Sequence, residues 1–121
     1  MIQVILSNEI LNRISKIDEN RFHVSAVKLP SVTINKLRKN SKKKSTYAST
    51  KIEGNPLTEE QVERVIDSDP HKHLLKPEQE VRNYFLAINL LEEKLKNREP
   101  LSVELILEIQ AIVEKGAPKN K

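Results

Sequence analysis

The residues that could do chemistry through charge gather in and beside one stretch, Ser45-Thr46-Tyr47-Ala48-Ser49-Thr50-Lys51-Ile52-Glu53-Gly54-Asn55-Pro56-Leu57-Thr58. Ser49 and Glu53 stand four apart, so on a helix they share a face; Ala48 and Ile52 share the neighbouring one. Gly54 can take the left-handed conformation that ends a helix, and Pro56 prevents its resumption. Glu53 then falls in the last helical turn, where a carboxylate meets the negative end of the helix dipole at a cost of about 0.3–1 kcal/mol. Such a residue is either a solvated surface carboxylate or one held out to meet a cation from elsewhere.

Other candidates are weaker. His71-Lys72-His73 has the spacing of a two-ligand metal site, but no cysteine and no obvious third ligand accompany it, so no metal is expected. His23 stands alone. Glu59-Glu60 and Glu92-Glu93 are adjacent on expected helices and point in different directions, which suits solvation better than paired acid–base work. No Ser/His/Asp or Cys/His nucleophilic set is visible, and no catalytic residue is assigned. Lys36, Arg38, Lys39, Lys42, Lys43 and Lys44 crowd into nine residues of a chain with formal net charge +4. A phosphate or nucleic-acid surface is one reading. With no aromatic residue between the lysines for base stacking, the solvated face of a long helix is the preferred one.

Ser49-Thr50-Lys51-Ile52-Glu53-Gly54-Asn55 resembles the inhibitory motif of Fic proteins, (S/T)xxxE(G/N), in the form found N-terminal to the catalytic core. Pro56-Leu57-Thr58-Glu59-Glu60-Gln61-Val62 and Gln79-Glu80-Val81-Arg82-Asn83-Tyr84 resemble the family's continuation, so the likeness covers most of residues 30–116. The catalytic run HPFx(D/E)GNGRxxR is absent, and the only glycines are Gly54 and Gly116. The resemblance implies the N-terminal part of a Fic protein, with Ser49, Glu53 and Gly54 as inhibitory residues. It implies that Glu53 pairs with an arginine of the catalytic motif and blocks productive placement of the ATP γ-phosphate. The parent would transfer AMP from ATP to a protein hydroxyl, using ATP and Mg; this chain would hold no cofactor. Its partner would be a catalytic Fic core, in the same polypeptide or in trans. The trans case would make the chain a free-standing, antitoxin-like inhibitor. The target protein, AMP addition versus removal, and homo-oligomerisation stay open.

The elements that must position these residues read as helices throughout. The chain has 121 residues, 3% aromatic content, no Trp, and many Leu, Ile, Glu and Lys, which favour helix. With no cysteine there is no disulfide framework. No apolar run approaches the roughly 18 residues of a membrane span. The start is too short and lacks the basic flank of a signal peptide, so a cytoplasmic location is expected.

A single all-α domain of about five helices, the N-terminal part of a Fic-like fold, is therefore expected over 1–121. Ser7 caps a first helix near 8–18, striped by Ile10, Leu11, Ile14 and Ile17. Asp18-Glu19-Asn20 breaks it, and 19–30 is an irregular segment anchored in the core by Phe22, Val24 and Val27. A long helix, 32–53, turns Ile34, Leu37, Ser41, Ser45, Ala48 and Ile52 inward, with a kink allowed near Asn40-Ser41. A short helix covers 59–67, with a Thr58–Gln61 capping box and a Leu57–Val62 staple. A helix over 77–97 buries Val81, Tyr84, Phe85, Ile88, Leu91 and Leu95. The last, 102–115, is capped by Ser102, stapled by Leu101 and Ile106, and packs antiparallel to its predecessor with Leu105, Ile106, Ile109, Ile112 and Val113 inward. Gly116 and Pro118 end it before a basic tail.

Overall fold

The computed structural model describes residues 2–116. Among them the fold is all-α: α1 (Asn8–Ala26), α2 (Ser31–Ile52), α3 (Glu59–Asp67), α4 (Lys76–Lys96) and α5 (Val103–Val113), with no strand. No helix of the described residues is long and apolar enough to cross a membrane. The chain divides into two compact units between Asn35 and Lys36. The tail expected beyond Gly116 lies outside the described residues.

In the first unit, Ser7 caps α1 by accepting from the Ile10 N–H at 3.2 Å. The helix does not stop at Asp18-Glu19-Asn20 but runs on to Ala26, and the anchors expected in an irregular segment, Phe22, Val24 and Val27, are exposed. Polar residues without Gly or Pro lower helix propensity by only a few tenths of a kcal/mol each. An ion pair one turn apart, Lys16–Glu19 at 3.5 Å, supports the helix across that point. It ends shortly before Leu29-Pro30, as the restriction on residues preceding proline requires.

The second unit is built around Val62, Val65, Leu74 and Val81, with Tyr47, Leu57 and Ile66 packed on them. The Thr58–Gln61 capping box is formed in both directions, 3.3 and 2.9 Å, and Leu57 packs where the staple requires. α3 and α5 each pack on α4. The end of α5 meets the first half of α4, as in an antiparallel pair: Asn83 Nδ2 donates to Val113 O at 3.1 Å and Lys115 O at 2.7 Å. Asn83 Oδ1 accepts from Gln79 Nε2 at 2.7 Å, which leaves this fully buried amide satisfied. One residue along, the Arg82 guanidinium collects the end of α3: it donates to Val65 O at 3.3 Å, Asp69 O at 2.9 Å, Pro70 O at 3.2 Å and Ser68 Oγ. Val65 O lies in the last turn of α3 and the other acceptors in the loop after it, so a single arginine, with its several donors, ties the helix end to that loop.

Three expected faces are corrected. On α2, only Ile34 of the six stripe residues is even half-buried; Leu37, Ser41, Ser45, Ala48 and Ile52 are exposed. The inward face is the adjacent one, with Thr46 and Thr50 buried and Lys42, Lys43 and Tyr47 partly so. Each threonine loses its polarity to its own helix, Thr46 Oγ1 donating to Lys42 O at 2.8 Å and Thr50 Oγ1 to Thr46 O at 2.7 Å, so it packs as an apolar residue. On α4, Leu91 and Leu95 are exposed, while Asn83 and Ala87 are buried. On α5, Leu105 is buried and Ile109 and Ile112 half-buried, but Ile106 and Val113 are exposed. Leu101 is exposed too.

α4 ends on Arg98 at φ +53°, with Arg98 N–H to Leu95 O and Glu99 N–H to Lys94 O both at 3.0 Å. A side chain in that conformation is disfavoured, whereas glycine tolerates it. Arg98→Gly should therefore stabilise the chain by about 0.5–1 kcal/mol, read as a rise in melting temperature; a fall would show that the arginine makes a compensating interaction.

Candidate functional site

The last turn of α2 closes by a two-bond left-handed cap: Gly54 N–H donates to Lys51 O and Asn55 N–H to Thr50 O, both at 3.0 Å. Helix geometry ends at Ile52, so Glu53 is the half-helical residue between helix and glycine, one position beyond the expected last turn. Gly54 has φ +92°. A Cβ built there would meet nothing within 4 Å. Glycine is thus required within this chain by backbone conformation rather than by close approach of a neighbour.

Glu53 is exposed, and its side chain makes no hydrogen bond or ion pair among the described residues. The nearest cation in sequence is occupied: Lys51 Nζ donates to the Tyr47 hydroxyl at 2.7 Å and lies 5.1 Å from the ring centroid. That hydrogen bond raises the Lys51 pKa above its ordinary value. Ser49 is half-buried, and Ser45, Ala48 and Ile52 beside it are open, Ile52 at 87% exposure. The end of α2 therefore presents an apolar and hydroxyl-bearing edge tipped by an unpaired carboxylate.

The basic run is not simply solvated. Lys42 Nζ reaches Glu92 at 2.7 Å and Asn89 Oδ1 at 3.1 Å; Lys43 Nζ reaches Asp67 at 2.6 Å, with Lys39 at 3.4 Å from the same carboxylate. The Lys43 side chain is only 13% exposed. These pairs tie α2 to α3 and α4, and leave Lys36, Arg38 and Lys44 exposed. The ammonium of Lys43, then that of Lys39, lowers the Asp67 pKa, and Lys42 lowers that of Glu92. A lowered folded pKa means stability that is fully present above the ordinary carboxylate value, about 4, and lost as pH falls through the folded value. Acidification below about pH 4 should therefore loosen α2 from α3 and α4. Hydrogen exchange of the α2 amides checks this: their protection should drop relative to α3 and α4 on acidification, and an unchanged ratio would mean the pairs carry no weight.

Sequence reasoning singled out Ser49, Glu53 and Gly54, which the helix end brings together. It missed Asn55, which is buried. Asn55 Nδ2 donates to Pro77 O at 2.9 Å and Glu80 Oε2 at 3.3 Å, and its Oδ1 accepts from Leu57 N–H at 3.1 Å. The available signal was an asparagine between a cap glycine and a proline, where a short amide bonds to backbone two residues on. His71 and His73 are exposed, and no group of three or more His, Cys, Asp or Glu able to hold a metal occurs among the described residues. Compared with protein-family models, curated proteins and solved structures, the chain matches none.

Proposed function

We propose that the chain is the regulatory and scaffold segment of a Fic-type AMP transferase, in which the end of α2 inserts the Glu53 carboxylate against an arginine of the catalytic core. The observation that carries this reading is the unpartnered Glu53 at a rigidly capped helix end, beside the open edge of Ser45, Ala48 and Ile52. A carboxylate there satisfies a phosphate-binding cation and repels the phosphate that would replace it. The same edge serves whether the core is joined to this chain or separate from it.

The run Glu80-Val81-Arg82-Asn83, part of the family likeness, supports the scaffold half of the reading. Glu80 takes a hydrogen bond from Asn55, Val81 is core, Arg82 holds the end of α3 and Asn83 the end of α5. A nucleic-acid role for the basic run is disfavoured, since Lys39, Lys42 and Lys43 are engaged with carboxylates of the chain's own helices.

The test is a titration of AMP transfer from labelled ATP by a Fic catalytic core, joined to or mixed with this chain. Unsubstituted chain should suppress transfer and Glu53→Gln should not. Suppression by both would reject the reading.

A further inference from the structure

Among the described residues Glu53 has no side-chain partner, so its direction is set by the backbone around it. The two cap bonds fix residues 50–55 as a loop, yet helix ends fray unless something outside the helix holds them. Asn55 is the residue that does so. Its main-chain N–H closes the cap onto Thr50 O at 3.0 Å. Its side-chain oxygen accepts from Leu57, at the approach to α3, and its side-chain nitrogen donates to Pro77 O in the first turn of α4 and to Glu80 just after it. Three helices are thus referenced to one amide two residues from Glu53. An amide is the side-chain group of this size that both accepts and donates; aspartate would lose both donated bonds and oppose the Glu80 carboxylate, and alanine would make none of the three bonds.

We propose that Asn55 is the positioning residue of the inhibitory carboxylate: anchored on α4 through Pro77 and Glu80, it holds Glu53 in the direction from which it can meet its cation. This rests on the reading of Glu53 given above. It adds that inhibition is set by the registration of the α2 end on the first turn of α4, as well as by the charge.

Two readouts on the full chain test this. The first is amide exchange: in Asn55→Asp, protection at Gly54 and Asn55 should fall roughly tenfold, the equivalent of a lost hydrogen bond, while amides of α3 and the middle of α4 keep theirs. The second is AMP transfer by the catalytic core. Asn55→Asp should release it, and Asn55→Asp combined with Glu53→Gln should release no more than Glu53→Gln alone, because both act through one carboxylate. Should Asn55→Asp fail to fold, Glu80→Ala, at an exposed position, removes one acceptor of the Asn55 amide and should lower Gly54 protection a few-fold. Wild-type protection at Gly54 in a folded variant, or release that adds fully to that of Glu53→Gln, overturns the positioning role. A Glu53→Gln chain that inhibits like the unsubstituted one overturns the reading of Glu53 instead, whatever the exchange data show.

Discussion

Arg82→Ala and Asn83→Ala should each destabilise the second unit more than truncation of any exposed residue on the same helix. Arg82 is a charged donor to acceptors at the end of α3 and in the loop after it. Hydrogen bonds to charged groups are worth about 1.5–3 kcal/mol. Asn83 is 2% exposed and donates to two carbonyls at the end of α5; leaving such acceptors unmet costs about 1–3 kcal/mol. For a domain of this size each kcal/mol lowers the melting temperature by roughly 4–8 °C. Asn83→Asp is the informative companion. It keeps the shape but turns a carboxylate toward Val113 O and Lys115 O, so it should be at least as harmful as alanine. An aspartate variant that melts like the unsubstituted chain would mean that α5 is not held through Asn83.

The largest functional effect is expected at Glu53. Replacing it with glycine in the presence of the catalytic core should raise AMP transfer by roughly ten- to a hundred-fold, the equivalent of one charge-assisted pair. Stability should change little, because the carboxylate makes no hydrogen bond or ion pair among the described residues and sits unfavourably at the negative end of the helix dipole. Glycine also loosens the end of α2, beside a cap that already contains Gly54 at positive φ. Part of its effect would therefore come from lost direction rather than lost charge. Glu53→Gln keeps the helix end and removes only the charge, and the difference between the two variants measures the share due to geometry. Release by glycine with none by glutamine would assign the whole effect to the cap.

The capped helix starts and the end of α2 were legible because each is a short-range event. Ser7, Thr58 and Ser102 cap where their spacing to the next periodic residues places them, and Gly54 takes the positive φ that a left-handed cap demands. The faces of α2 and α5 were less legible for a physical reason. The stripe rule assumes that apolar residues go inward, but α2 docks through threonines that internally bond their hydroxyls and through lysines that meet carboxylates on other helices. α5 is apolar on nearly every side, so its sequence marks no unique inner face. The far half of α1 is hidden in the sequence because Asp18-Glu19-Asn20 interrupts the apolar stripe, although nothing in it removes a backbone hydrogen bond. Within the candidate site, Glu53 was legible from its misfit with the helix dipole. Asn55 was not, because its partners Pro77 and Glu80 lie more than 20 residues away and only the fold brings them to it.

Inhibition through Glu53 is read from the initial rate of AMP transfer from labelled ATP by the catalytic core with unsubstituted chain and with Glu53→Gln, at matched concentration and confirmed equal melting temperature. The rate should be low with the unsubstituted chain and at least about tenfold higher with the glutamine variant, since one charge-assisted bond separates them. Equal rates would contradict this inhibition and leave Glu53 as a solvated residue at a helix end.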